Sequence, residues 1–98
     1  MYWQVLQINV QPGRRADLLQ ISKAYVEECV QEEPGTLGFT FLLDEQDEDR
    51  YCAIEQYADQ AAQHAHAQGA VIQRRGPEIL PLLAGPPVLL ASGDQVDL

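Results

Sequence analysis

The sequence predicts an α+β fold of the ferredoxin-like class, a four-stranded antiparallel sheet with helices on one face. Hydrophobic periodicity gives the order strand, helix, strand, strand, helix, strand, and a length of 98 residues allows one core. Several strands carry apolar residues on both faces, so we expect two copies to pack sheet against sheet as a homodimer. Residues 1–98 form a single domain in this prediction, with 93–98 as a flexible tail.

The first half of the chain alternates cleanly between strand and helix patterns. Trp3 to Val10 is predicted to be a strand, ended by Gln11-Pro12-Gly13, with Gln4, Leu6, Ile8 and Val10 on one face. A helix from about Arg14 to Glu32 follows, because apolar residues recur at three- and four-residue spacing. The stripe predicted to pack on the sheet comprises Leu18, Leu19, Ser22, Tyr25, Val26, Cys29 and Val30.

A hairpin is predicted at the centre of the chain. Pro34-Gly35 stops the helix, and strands are expected from Thr36 to Leu43 and from Arg50 to Tyr57. The acidic segment 44–49 between them lacks the glycine and glutamate spacing of an EF-hand, so we interpret it as a solvated turn without calcium. In the third strand Tyr51, Ala53, Glu55 and Tyr57 share a face.

The last third is predicted to be a capped helix, broken segments and a final strand. Asp59 is a natural N-cap, and Gly69 closes the helix that it starts. Residues 70–75 form a short second helical piece, and Pro86 to Ser92 form the last strand. The intervening segment is interrupted by Pro77, Pro81 and Gly85.

Composition excludes several classes of partner. Fifteen acidic residues against six basic ones give a net charge of −9, which disfavours nucleic acid and anionic membranes. No apolar run approaches the roughly 20 residues of a transmembrane helix, and no secretory leader is visible, so a soluble cytoplasmic protein is expected. Cys29 and Cys52 lie in unlike contexts without Cys-x-x-Cys spacing, which favours two buried reduced thiols.

His66 is the main catalytic candidate. On a helix it shares a face with Ala62 and Ala65 and points inward, where an imidazole can deprotonate a phenol or enol. The structural alternative is a histidine satisfied at the edge of the core. His64 points about 160° away from His66 and is expected in solvent, so the two cannot hold one metal ion.

The candidates for residues that contact a substrate in a pocket are Tyr25, Tyr57, Leu6, Ile8 and Ala62. Trp3, Tyr51 and Tyr57 either line an aromatic pocket or fill the dimer core, and the core is favoured. Glu55 is expected to pair with a basic or polar group across the interface, with a general base as the alternative.

Two segments resemble a known family. Glu33-Pro34-Gly35-Thr36-Leu37-Gly38-Phe39 is similar to the Glu-Pro-Gly-Cys-Leu-x-Tyr/Phe segment of the antibiotic biosynthesis monooxygenase domains. Glu55-x-Tyr57-x-Asp59-x-x-Ala62-x-x-Ala65-His66 resembles that family's Glu-x-Trp/Tyr-x-Asp/Ser-x-x-Ala-x-x-Ala-His run. The resemblance implies a homodimeric α/β barrel with a pocket in each protomer. Members include cofactor-free oxygenases of quinols and anthrones, haem-degrading oxygenases, and isomerases.

The chain departs from parts of the family pattern. Gly69-Ala70-Val71-Ile72 replaces a Ser-x-His-Phe segment found in many members. Arg74-Arg75-Gly76 stands where the haem-degrading branch has its axial histidine, and Leu6 stands where that branch has an asparagine. Haem is therefore not expected.

These observations predict a cofactor-independent monooxygenase that uses dioxygen on a small quinol, anthrone or related electron-rich aromatic, with His66 in proton transfer. Two alternatives stay open: an isomerase of the same fold, and a dimeric ligand-binding or stress-response domain without turnover. An RNA-recognition domain shares the topology, but the charge and the lack of its aromatic motif count against it.

Overall fold

The computed structural model describes residues 1–98. It contains four strands and three helices in the predicted α+β order, and the helical piece predicted at 70–75 is the third helix. The elements are β1 (Tyr2–Asn9), α1 (Arg15–Glu32), β2 (Thr36–Leu43), β3 (Arg50–Tyr57), α2 (Gln60–Ala67), α3 (Ala70–Ile79), a 3₁₀ turn (Leu80–Leu82) and β4 (Val88–Asp94).

The strands form one antiparallel sheet in the order β2-β3-β1-β4. This confirms the predicted ferredoxin-like fold. Every second residue of β3 is buried, as alternation predicts for a strand with helices on one side. The core beneath α1 is formed by Ile8, Val10, Leu18, Tyr51, Ala53 and Leu82.

Helix α1 packs across the sheet and is tied to α3 by ion pairs. The guanidinium of Arg75 reaches both carboxylate oxygens of Glu28, at 2.6 and 3.1 Å. Arg74 lies 2.6 Å from Glu32. The buried stripe of α1 is narrower than predicted, since Val30 is 44% exposed near the helix end.

The bounds of β1 and the starts of α1 and β4 differ from the prediction by one or two residues, and the ends of α3 and β4 differ in ways that bear on the fold. Helix α3 continues through Pro77 to Ile79 instead of ending near Arg75. The residue before a proline normally avoids helical geometry because its Cβ meets the proline ring, and Gly76 has no Cβ. At the other end, β4 includes Gly93 and Asp94, which pair with Trp3 and Tyr2. The ladder thus includes the first two residues of the segment predicted to be flexible.

Candidate active site

The turn between α1 and β2 places the first polar group of the site. Glu33 is the C-cap of α1, and its N–H donates to the Cys29 carbonyl at 2.9 Å. Gly35 then passes so close to Ala62 on α2 that a Cβ on Gly35 would overlap the Ala62 methyl group. Asp59 caps α2, as predicted, by accepting a 2.8 Å hydrogen bond from the Ala62 N–H. The close contact brings the end of α1 against α2.

His66 projects inward from α2 and is 5% exposed. Its Nδ1 lies 2.8 Å from Glu33 Oε1, and its Nε2 lies 3.1 Å from the hydroxyl of Tyr25 on α1. A carboxylate only accepts hydrogen bonds, so Nδ1 donates to Glu33 and Nε2 is left as the acceptor for Tyr25. Glu33, His66 and Tyr25 therefore form one hydrogen-bonded chain, which we call the triad. His64 is exposed, as predicted.

Glu33 is held in place from several sides. Its Oε1 also accepts a 2.8 Å hydrogen bond from Thr36 Oγ1. Its Oε2 is buried without a partner in the chain. That oxygen would lie 3.1 Å from a Cβ placed on Gly69, the N-cap of α3. The start of α3, the end of a helix that favours negative charge, therefore lies beside this oxygen.

Aromatic rings surround the histidine. The centroids of Phe39 and Tyr57 lie 5.6 Å from that of His66, and that of Tyr25 lies at 6.1 Å. Burial, followed by the nearby Cys29 and Glu55, raises the pKa of Tyr25 well above its usual range. Tyr25 therefore stays protonated and acts as a hydrogen-bond donor.

Two members of the triad, Tyr25 and His66, border a mostly apolar cavity of about 370 Å³ between the sheet and the helices. This volume is in the range of small-molecule pockets. The lining comprises Gln4, Leu6, Ile8, Tyr25, Tyr51, Glu55, Gln63, His66, Ala67, Ile72, Gly76, Ile79, Leu80, Leu83 and Pro87.

The cavity contains some of the residues predicted for the pocket and not others. His66, Tyr25, Leu6 and Ile8 line it. Tyr57 does not, because it is fully buried behind Phe39 and His66. Ala62 does not, because it faces Gly35 at the start of α2.

Glu55 lies in the same cavity and is 8% exposed. Its Oε1 accepts a 2.6 Å hydrogen bond from the hydroxyl of Tyr57, two residues along the strand. Burial raises the pKa of the Glu55 carboxyl, against the opposing effects of the Tyr57 hydrogen bond and of His66. The sequence had predicted a partner across a dimer interface, whereas the partner here belongs to the same chain. Its helix-facing position gives it access to a bound ligand.

One group of side chains has the donor types of a zinc site. Ligand atoms of Cys29, Glu33 and His66 lie within 4.8 Å of one another. The short His66–Glu33 hydrogen bond occupies two of the three, and an ion would have to displace it. Burial and the charge of Glu33 raise the pKa of Cys29 to about 12, so the thiol is protonated. The prediction of no metal considered the two histidines, the cysteine spacing and the acidic turn separately and overlooked this group.

Sequence and structure comparisons agree on the family. The profile described as antibiotic biosynthesis monooxygenase matches residues 1–74. The chain belongs to this family. No functionally curated protein matches the sequence.

Solved structures of the family share the fold over nearly the whole chain. An antibiotic biosynthesis monooxygenase is 23% identical, with a TM-score of 0.80 over 99% of this chain and 100% of its own. A protein from Caulobacter crescentus named for the same activity is 25% identical, with a TM-score of 0.86 over 98% of this chain and 90% of its own. A third, from Bordetella bronchiseptica, is 20% identical with a TM-score of 0.85, covering 97% of this chain and 96% of its own.

The family motifs coincide with the geometry of the site. The Glu-Pro-Gly segment supplies Glu33, and the Ala-His end of the second motif supplies His66. None of the helices combines the length and the apolar composition needed to cross a bilayer.

Proposed function

We propose that this chain is a cofactor-independent monooxygenase that oxidises a small quinol, anthrone or related electron-rich aromatic with dioxygen. The observation that carries the proposal is the pair His66 and Tyr25 at the wall of a mostly apolar cavity, with Glu33 hydrogen-bonded to His66 behind them. Membership of the antibiotic biosynthesis monooxygenase family supports the reaction class. The substrate class rests on the cavity and on the chemistry of the triad.

His66 is proposed to remove the proton of a substrate hydroxyl or enol through Nε2. The substrate oxygen takes the place of the Tyr25 hydroxyl at that nitrogen, and Glu33 stabilises the imidazolium that forms. Tyr25, which keeps its own proton, donates a hydrogen bond to the substrate oxyanion. The apolar lining excludes water from the electron-rich anion.

The deprotonated substrate supplies the electrons for oxygen reduction. In an anthrone, the CH₂ carbon loses two hydrogens and gains one oxygen atom as a carbonyl, and the second oxygen atom leaves as water. In a quinol, dioxygen adds one oxygen to the ring, and the product is a hydroxyquinone plus water. Atoms and electrons balance in both cases, so the proposal includes no flavin, haem or external reductant.

A proton-transfer enzyme that does not consume oxygen is the second candidate. The observation that favours it is that two acid–base groups, His66 and Glu55, line one cavity. Such a pair can remove a proton at one position of a substrate and return it at another. A binding domain without turnover is the outcome that follows if neither reaction occurs.

The protein is proposed to act as a homodimer in the cytoplasm. The sheet face opposite the helices carries Trp3, Val5 and Ile54, which are only half-buried in one chain. A second copy packed on that face would cover them. The two cysteines are free, which suits a reducing compartment.

Oxygen uptake by the purified, metal-free protein on dihydroxyaromatics and anthrones tests the proposal. His66→Ala is expected to lower uptake above autoxidation by roughly 10²-fold or more, the lower end of general-base contributions. His64→Ala, on the exposed side of the same helix, is the matched control and should retain activity. Equal uptake by the wild type and His66→Ala would refute the role of His66. Product formation under anaerobic conditions would favour the second candidate.

A further inference from the structure

The sheet wall of the cavity carries an unused polar pair. Gln4 on β1 and Glu55 on β3 are directly paired in the ladder and both line the cavity. Their row runs from Phe39 on β2 to Ser92 on β4, neither of which lines the cavity, and the next row along the sheet is Ala53, Leu6 and Leu89. A polar pair on the sheet wall of a mostly apolar cavity calls for a ligand to satisfy it.

One oxygen of Glu55 is free and faces open space. Its Oε1 is bonded to Tyr57, and its Oε2 has no hydrogen-bond partner in the chain. Among the side-chain nitrogen and oxygen atoms, only Glu33 Oε2 is both fully buried and without a hydrogen-bond partner. Because Glu55 Oε2 also lacks a partner, it cannot be fully buried and must be accessible. Glu55 is 8% exposed, and the open space that it lines is the cavity.

The amide of Gln4 is also free. The neighbouring glutamines use theirs: Gln7 donates to Asn9, and Gln11 donates to the Leu83 carbonyl. That of Gln4 has no such partner within the chain. A ligand oxygen between Gln4 and Glu55 would accept from the amide N–H and donate its own hydrogen to the carboxylate.

We infer that Glu55 and Gln4 form a second subsite, on the sheet side of the cavity, for a second hydroxyl of the substrate. The first oxygen of the substrate lies on the helix side, at Tyr25 and His66, so this inference rests on the proposed function. The ligand class is an aromatic with hydroxyls on opposite sides of its ring system, of the hydroquinone type. Glu55 is a positioning residue in this arrangement and does not take part in the electron transfer.

The subsite distinguishes the reduced from the oxidised aromatic. A hydroxyl satisfies both Glu55 and Gln4. A quinone carbonyl can accept from the Gln4 N–H but has no hydrogen to give. At a pH above the raised folded pKa of Glu55, its oxygen would therefore face a carboxylate oxygen across the subsite. A buried carboxylate oxygen without a donor is costly, so the reduced aromatic is retained and the quinone is released.

Anaerobic calorimetric titration with three compounds of one shape tests the inference. They are 2,3-dimethyl-1,4-dihydroxynaphthalene, its monohydroxy analogue 2,3-dimethyl-1-naphthol, and 2,3-dimethyl-1,4-naphthoquinone, whose ring methyls block addition of thiols. The wild type is expected to bind the dihydroxy compound on the order of tenfold or more tightly than either of the others, as one lost hydrogen bond to a charged group predicts.

Two variants separate the subsite from a general effect on the fold. Glu55→Gln can turn an N–H toward a carbonyl, so it should raise affinity for the quinone and bring the quinol-to-quinone ratio toward one. Gln4→Leu should lower the affinity for the dihydroxy compound toward the affinity for the monohydroxy compound. Cys52→Ser, on the other face of β3, is the control and should keep the wild-type ratios.

The inference is overturned if the wild type binds all three compounds equally or binds none of them. It is also overturned if Glu55→Gln leaves unchanged the affinity of the dihydroxy compound relative to the quinone and relative to the monohydroxy compound. Because the titrations contain no oxygen, they do not depend on turnover. Selective binding together with absent oxygen uptake would preserve the subsite and overturn the proposed oxygenase instead.

Discussion

His66 owes its orientation to Glu33, which fixes one ring nitrogen and leaves the other facing Tyr25. Glu33→Gln retains an oxygen that can accept from Nδ1 but removes the charge that stabilises an imidazolium. We expect kcat to fall by about tenfold to hundredfold, a part of the roughly 10²–10⁴-fold available to general acid–base catalysis. KM should change little, because the lost interaction is made mainly in the transition state.

Steady-state oxygen uptake with Glu27→Gln as the control checks this expectation. Glu27 lies on the exposed side of α1, so its loss of charge reports only a general electrostatic effect. An unchanged kcat in Glu33→Gln would show that the carboxylate only holds the fold.

Glu55 makes folding stability depend on pH. Burial raises its pKa in the folded protein above 4.5, the ordinary value of a glutamate side chain, which the unfolded chain keeps. An acid with a raised folded pKa costs nothing below pH 4.5, where both states are protonated. Stability then falls as pH rises through the folded pKa, because the unfolded chain ionises more readily. Glu55→Gln removes this loss and keeps an acceptor for Tyr57.

The stability gained by Glu55→Gln over the wild type should therefore increase from pH 4.5 upward and level off above the folded pKa. The gain is about 1.4 kcal/mol for each unit by which folding raises the pKa. Urea unfolding between pH 4 and 8 at fixed protein concentration measures it, with Glu27→Gln as the reference. A difference that does not vary with pH would contradict the buried, hard-to-ionise carboxyl.

The site could be predicted only in part at this level. Helical geometry singled out His66, because side chains two positions apart on a helix point in nearly opposite directions. His66 and His64 could therefore not both point inward. Glu33 escaped because no periodicity links the end of one helix to a histidine 33 positions later. Alternation placed Glu55 on one face with Ala53 and Tyr57. The partner predicted for it across an interface was wrong, because same-face neighbours in a strand were not considered.

At the scale of elements, the contact between Gly35 and Ala62 joins the end of α1 to α2. A methyl group at position 35 would overlap that of Ala62. Gly35→Ala is expected to lower the free energy of unfolding by about 1–3 kcal/mol, the usual cost of overpacking. It should also reduce activity, because the shift moves Glu33 relative to His66.

Gly38→Ala is the matched control, since a Cβ at Gly38 meets nothing within 4 Å. Denaturant midpoints of the two variants give the comparison. Equal midpoints would mean that the two elements separate without cost and that their contact does not define the site.

The elements themselves were largely predictable, because periodicity and capping residues act locally. Both central strands begin and end at the predicted residues, and Asp59 caps α2. The exception, α3, depends on a pair of neighbours: Pro77 alone predicts a break, whereas Gly76 before it removes the clash that would enforce one.

At the scale of the whole molecule, the sheet leaves one face without helices. Ile54 and Val5 are paired at its centre, and Leu42 on β2 is 53% exposed. If two copies cover this face, Ile54→Asp should convert the dimer to a monomer, because a buried unpaired carboxylate costs several kcal/mol. Leu42→Asp, nearer the edge, should weaken the dimer less.

Sedimentation equilibrium across a range of protein concentrations measures the dissociation, with Gln20→Asp on the exposed side of α1 as the control for added charge. Each copy carries a net charge of −9, so the copies repel one another at long range. Raising the salt concentration from about 0.05 to 0.5 M shortens the screening length and should tighten the dimer. A wild type that stays monomeric at high salt would leave the open face for a different partner and would contradict the barrel.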